Sequence, residues 1–380
     1  MNTLFIIGIF LSLFLSLLLF LKNNKILPDK ILTVWMLVIG LHLFSYCLYS
    51  LGFWEKYPHL IGITHPFPFL HGPLLYLYVV FSLQKEPRFR LKHYAHFLPA
   101  FLAYLYMVPY FFFYTTEQKR MIDHGQTNDY RVFMLISLAG FIISGIAYAV
   151  LAYRLIGKYE KLVHDNFSFD EKISLHWLRY CISGIGLIFA TVGIFSFLQY
   201  ILSIQFSFNV DFIYFSEIIL FVFFVGYFGI RHESIFSDDK KRTASIANTD
   251  DDTKKPAEYR KSGLKKGEAE QIHQQLLQLM DDKKPYLEPK LTLNLLSEEL
   301  STSPNYLSQI INQYREQNFY DFVNQYRIHE FKKRATLSEN RRLNILAIAF
   351  DSGFNSKSSF NLAFKKHTGI TPSQFIRENK

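Results

Sequence analysis

The sequence predicts an all-α fold in two unlike parts. A polytopic transmembrane helical bundle is expected over residues 1–232 and an all-helical polar domain over residues 263–380, with a charged linker at 233–262 between them. Three observations predict this. First, the chain is half apolar and carries 39 Phe and 24 Tyr in 380 residues, yet the apolar residues are concentrated before residue 230, and Lys, Arg, Asp, Glu, Gln and Asn dominate after it. A chain so divided is built for two solvents. Second, apolar runs of membrane length recur along the first part. Third, a pattern of two short helices joined by a tight turn occurs twice in the second part.

A spanning helix needs about 20 mainly apolar residues to cross a hydrocarbon core of about 30 Å. Seven runs approach that length: Leu4–Leu21, Ile31–Phe53, Leu60–Leu83, Tyr94–Tyr114, Val132–Tyr153, Tyr180–Leu202 and Phe212–Ile230. The first is expected to be a retained span, because Met1-Asn2-Thr3 carries no positive side chain and no small-residue cleavage site follows Leu21. Loop charges orient the bundle. With the amino terminus outside, the inner loops hold Lys22, Lys25, Lys30, Lys85, Arg88, Arg90, Lys92, Arg154, Lys158, Lys161, Lys172 and Arg179, whereas the outer loops hold only Lys56, Lys119, Arg120 and Arg131. Positive residues stay preferentially on the cytoplasmic side. An odd number of spans then leaves the carboxyl-terminal part in the cytoplasm, and the expected location is the cytoplasmic (inner) membrane.

Ionisable groups are costly inside a bilayer and so mark function by default. His65 and His71 flank a run of prolines in the third span, where Pro66, Pro68 and Pro73 interrupt backbone hydrogen bonding. They and Glu217, in the last span, are the candidates for ligand sensing. The competing reading makes them hydrated interfacial residues of a kinked segment. No HExxH, GxSxG or paired-Asp motif occurs in any span, which argues against membrane proteolysis. A membrane enzyme or transporter with a polar tail stays open as an alternative, although no paired membrane carboxylates support it. A sensor kinase is excluded, since the polar part has no Gly-rich box and no room for an ATP-binding domain. Cys47 and Cys181 lie in apolar runs, leaving no disulfide framework and no cysteine-based zinc site; no metal or cofactor is expected. The linker combines Asp250-Asp251-Asp252 with Lys254-Lys255-Pro256 and lacks apolar periodicity, as a solvated tether does.

In the polar domain, Ile272, Leu276, Leu279 and Met280 fall on one face of a first helix. Thr292 is placed to cap Leu293–Leu300. Ser303 caps the next helix, with Pro304 at its first position, and Leu307, Ile310 and Ile311 turn inward. These form a helix-turn-helix unit near 293–313. A long helix follows from about Phe319 to Ala335. The pattern then recurs near 344–367, with Ile345–Asp351, a turn at Gly353, a cap at Ser356, and a helix carrying Phe360, Ala363 and Phe364.

Residues 264–380 resemble the AraC family of transcriptional regulators. The resemblance rests on Ile348-Ala349-Phe350-Asp351-Ser352-Gly353-Phe354, Ser356, Phe360, Ala363-Phe364-Lys365-Lys366, Gly369 and Thr371-Pro372-Ser373. In the first unit it rests on Leu296, Leu300, Ser303, Tyr306-Leu307 and Arg327. Four positions depart from the family pattern: Ser297 and Ser301 stand where Ala and Gly are usual, Glu316 stands where Gly precedes the long helix, and Leu362 is the fourth. Leu362 occupies a site that is commonly basic. The layout also resembles membrane-spanning members of the family with about seven helices.

The resemblance implies a non-enzymatic regulator that binds double-stranded promoter or operator DNA, with RNA polymerase contact, homodimerisation, the lipid bilayer and an unidentified signal ligand as its further expected partners. Recognition helices enter the major groove, where Asn and Gln pair with adenine and Lys grips phosphate. Asn305, Ser308, Gln309 and Asn312 are the DNA-binding candidates of the first unit. Lys357, Ser358, Asn361, Lys365 and Lys366 are those of the second. Charge alone is a weak guide, since residues 264–380 hold 17 Lys or Arg against 13 Asp or Glu.

Overall fold

The computed structural model describes residues 2–84, 87–168, 176–231, 266–337 and 344–378; the linker expected at 233–262 lies outside the described residues. Among the described residues helix is the only regular element, apart from one isolated antiparallel bridge between Phe167 and Thr292. The chain divides into two compact units. One comprises Met1–Ile156 and Leu175–Asp251, the other Gly157–Ser174 and Asp252–Lys380.

The first unit is built from α1 (Asn2–Leu21), α2 (Leu27–Ser50), α3 (Pro68–Ser82), α4 (Leu98–Phe113), most of α5 (Arg131–Asn166), α6 (His176–Tyr200) and α7 (Val210–Arg231). Among the described residues six helices are long and apolar enough to cross a membrane, α4 counting with the 3-10 turn Leu91–Phe97 that leads into it. Their outward faces are apolar: Phe10 is 68%, Phe112 78% and Ile143 68% exposed. Such faces have no place in water and suit lipid. Inside, small residues allow close approach. A Cβ on Gly8 would stand 2.7 Å from Ile219 of α7, and one on Gly40 2.8 Å from Ser12 and Leu13 of α1. Asp29, buried at the start of α2, pairs with Lys22 at 2.9 Å and accepts from the Ile26 amide, which closes the turn between α1 and α2.

The third expected span differs from its prediction. The run Leu60–Leu83 is apolar throughout, but its α-helix begins only at Pro68 and is 15 residues long. Residues 61–67 form turns that follow the 3-10 segment Pro58–Leu60. Pro66 and Pro68 donate no backbone hydrogen bond and Gly62 turns left-handed at φ 82°, so the helix starts at Pro68, a first position that needs no donor, and then carries Pro73 within it. At 1.5 Å per residue α3 rises about 22 Å, so it matches a hydrocarbon core of about 30 Å only together with the turns at 61–67. The fifth run differs in the other direction. α5 is 36 residues long, about 54 Å, and continues well past Tyr153.

The second unit contains α8 (Lys266–Asp282), α9 (Leu293–Glu299), α10 (Pro304–Arg315), α11 (Phe319–Ala335), α12 (Ile345–Asp351), α13 (Lys357–Thr368) and α14 (Pro372–Glu378). Among the described residues it holds two hydrophobic cores. The first gathers Leu276, Met280, Leu296, Leu307, Ile311, Phe319, Phe322 and Val323. The second gathers Ile328, Phe331, Ile348, Ala349, Phe354, Phe360, Ala363 and Phe364. α11 serves both, giving its amino-terminal half to one and its carboxyl-terminal half to the other. Polar caps set the helix starts. The Thr292 hydroxyl accepts from the Leu295 amide, Ser303 from Tyr306, Asn318 from Asp321 and Ser356 from Ser359. Each satisfies one amide that a helix start leaves free.

Candidate nucleic-acid interface and membrane cavity

Each lobe of the second unit pairs a short helix with a longer one across a tight turn. In the first lobe, α9 and α10 meet at Ser301, whose φ is 52°. In the second, α12 and α13 meet at Gly353, whose φ is 93°. The buried faces of α10 and α13 carry Leu307, Ile310 and Ile311, and Phe360, Ala363 and Phe364. Helical periodicity therefore turns the intervening positions outward.

On α10, Asn305 and Asn312 are exposed, and Ser308 and Gln309 are half-buried. The four share a face at spacings of three and four. Asn312 folds back, its amide donating to the Ser308 carbonyl at 2.9 Å. On α13, Lys357, Ser358, Asn361 and Lys365 are exposed. Lys366 is exposed too, yet its ammonium lies 2.7 Å from both carboxylate oxygens of Asp321 on α11. Its charge is already spent on joining α13 to the linking helix. Leu362, at 62% exposure, sits on the same outward face as Asn361 and Lys365. Its place there was legible from spacing, because it falls outside the 360, 363, 364 set.

Arg327 sets the two lobes against each other. It is 1% exposed. Its Nε donates to the Tyr286 carbonyl at 2.7 Å and its Nη2 to the Glu288 carbonyl at 2.8 Å, while the guanidinium faces the Phe354 ring at 5.9 Å. Tyr286 and Glu288 belong to the first lobe and Phe354 to the second. Burial lowers the Arg327 pKa to about 10, so the group remains cationic near neutrality. Nearby, burial pushes the Glu330 carboxyl up, but Arg334 at 2.8 Å and Lys284 outweigh it and hold the group below its ordinary value.

Residues 296–378 match a helix-turn-helix domain family. The second unit contains a helix-turn-helix domain. The "Uncharacterized transcriptional regulatory protein YesN" of Bacillus subtilis is 32% identical over 92 residues, which cover 24% of this chain and 24% of that protein. The chain thus spans about a quarter of the length of the curated relative it matches. A solved structure of a protein of unknown function from Listeria innocua is 26% identical, covering 28% of this chain and 96% of that one, with a TM-score of 0.25.

The first unit holds a cavity of about 450 Å³, lined by side chains that include His42, His65, Asp211 and Tyr214. Of the three predicted sensing residues, only His65 lines it; its Nε2 is 3.1 Å from the Ser137 hydroxyl. His71 is buried behind it, between the Trp35 indole at 3.3 Å and the His42 ring at 3.4 Å. Glu217 stands one residue removed, accepting from the Thr191 hydroxyl at 3.0 Å, and Thr191 lines the cavity. Sequence reasoning missed His42, the residue that joins His71 to the cavity. The signal was present: His42 lies in mid-run in the second apolar stretch, and the rule that singled out His65 applies to it equally. Among the described residues, no three His, Cys, Asp or Glu side chains group as metal ligands.

Proposed function

We propose that this protein is a membrane-embedded transcriptional regulator of the AraC type. Its helix-turn-helix lobes bind operator DNA on the cytoplasmic side of the inner membrane, and its helical bundle senses a small ligand. The observation that carries the reading is the paired architecture: two capped helix-turn-helix lobes share α11, and each turns a polar helix face outward. Asn305, Ser308 and Gln309 are assigned to base edges, with Asn312 beside them; Lys357, Ser358, Asn361 and Lys365 are assigned to the second contact with the duplex. Lys366 is assigned chiefly to the ion pair with Asp321. The cavity around His42 and His65 is the proposed sensory site, with His71 and Glu217 supporting its wall.

The test uses the full chain in lipid nanodiscs, because a fragment starting at residue 263 would lack Gly157–Ser174, which belongs to the same compact unit. Selection from a genomic duplex library at low salt is expected to enrich a defined sequence, with affinity falling as salt rises. No enrichment of any duplex at low salt would defeat the proposal.

A further inference from the structure

The buried guanidinium of Arg327 has partners far away in the chain. Its Nη1 donates to the Ser168 carbonyl at 2.9 Å and its Nη2 to the Ser168 hydroxyl at 3.1 Å. Asn324 reaches the same carbonyl at 3.4 Å. The Ser168 hydroxyl donates in turn to the Leu291 carbonyl at 2.7 Å, and its amide to that same oxygen at 3.3 Å. Phe167 forms the antiparallel bridge with Thr292, the cap of α9. His164 stacks on Tyr320 with ring centroids 4.7 Å apart. Ser168 is 1% exposed. Residues 164–168 therefore hold a specific seat on the helix-turn-helix unit.

The seat is made for a polar backbone segment. Among the described residues, the acceptors around Arg327 are carbonyl, hydroxyl and amide oxygens, of which Ser168 supplies two. A buried cation is stable only while such partners remain in place. Arg327 also holds the Tyr286 and Glu288 carbonyls and faces Phe354, so the group that grips Ser168 is the one that sets the lobes. Ser168 lies two residues beyond Asn166, the end of the 36-residue helix α5. α5 begins at Arg131 in the first unit and ends at Asn166 in the second, so the chain joins the units here as well as through 233–262.

We propose that His164–Ser168 is a docking strap: seated on Arg327, Asn324 and Leu291 it holds the two lobes in the spacing that binds DNA, and its withdrawal weakens that binding. The effect on DNA rests on the regulator reading above; the docking itself does not. Two of the hydrogen bonds that fix Arg327 leave with the strap.

The experiment compares the full chain in nanodiscs with Ser168→Pro, which removes the amide and hydroxyl donors, and with Ser168→Ala, which removes the hydroxyl alone. Hydrogen exchange reads the docking at segments 286–293 and 320–328, and titration with the selected duplex reads the coupling. Ser168→Pro is expected to speed exchange in both segments and to weaken duplex binding about fivefold or more, the lower range of allosteric coupling; Ser168→Ala should fall between. Unchanged exchange in Ser168→Pro overturns the docking. Faster exchange with unchanged duplex affinity overturns the coupling. If the unmodified chain binds no duplex, the regulator reading fails, while exchange still decides whether the strap is seated.

Discussion

The two helix-turn-helix lobes solve the same geometry with different residues. Ser297 and Ala349 occupy corresponding buried positions on α9 and α12, and both are small where a second helix crosses. At the turns, Ser301 and Gly353 both take a positive φ, as do Glu316 and Gly369 at the ends of α10 and α13. The first lobe thus tolerates non-glycine residues at both left-handed positions, and the second uses glycine at both. The size of the angle accounts for part of the difference: Ser301 and Glu316, both at 52°, lie in the left-handed region open to L-residues, whereas Gly353 at 93° and Gly369 at 78° lie beyond it. The surroundings add a second cause at one of the two glycines. A Cβ at Gly353 would overlap the Tyr286 carbonyl oxygen and stand 3.0 Å from the Leu287 Cα and 3.1 Å from the Arg327 Nε. At Gly369 nothing lies within 4 Å of such a Cβ. Glycine at 353 is required by the contact between lobes; at 369 it only eases the backbone.

The largest expected effect separates those two causes. Gly353→Ala combines a left-handed backbone with overlap against an oxygen that Arg327 itself holds. It should destabilise the second unit by about 3 kcal/mol or more. Gly369→Ala carries the backbone term alone, about 1 kcal/mol. Urea unfolding of the full chain, followed by a probe in α13, reads both. Equal losses from the two substitutions would show that φ alone rules, and the contrast between the lobes would then have no steric basis.

A second, smaller set asks whether the lobes divide the work on DNA. The first presents neutral Asn, Ser and Gln; the second presents Lys357 and Lys365 around an exposed Leu362. Gln309→Ala is expected to cost about 1–3 kcal/mol on the selected sequence and to relax preference at one base position. Lys365→Ala should weaken binding on all sequences alike and reduce the salt slope by about 1. Lys366→Ala should leave that slope nearly unchanged, because its partner is Asp321. Binding titrations at several salt concentrations, on selected and scrambled duplexes, distinguish the three. A full unit of slope lost with Lys366 would return that residue to the phosphate contacts.

These assignments mark what local pattern carries and what it does not. The caps at Thr292, Ser303 and Ser356 and the inward Leu307, Ile310, Phe360 and Phe364 were legible because a helix repeats every 3.6 residues and its start needs a side-chain acceptor. The late start of α3 was not, because hydropathy counts apolar atoms and is blind to the missing amide of Pro66 and the left-handed turn at Gly62. The length of α5 escaped for the opposite reason: after Tyr153 its residues turn polar, and an apolar window ends where the helix does not. The pairing of Lys366 with Asp321 spans 45 residues and that of Arg327 with Ser168 spans 159. Contacts at such separations follow from tertiary packing and leave no period in the sequence. At the cavity, His65 was legible by type and depth, but its distance from Glu217 and the role of His42 depended on how α2, α6 and α7 pack.

The smallest expected effect lies in the first lobe. Glu316 and Ser301 each hold φ at 52° without being glycine. Two terms compete when either becomes glycine. Relief of the left-handed backbone favours the folded state by about 1–2 kcal/mol. The greater freedom of glycine in the unfolded chain opposes this by about 0.5–1 kcal/mol. Relief exceeds the entropy, so Glu316→Gly should stabilise by about 0.5 kcal/mol as the net of those terms. Ser301→Gly should gain no more than that and bring the first turn to the residue type of the second. Both changes should raise the urea midpoint of the second unit without altering the slope of its transition. A lowered midpoint would mean that the Glu316 or Ser301 side chain contributes more to the turn than the angle costs, and that the first lobe, like the second, chose its turn residues for their neighbours.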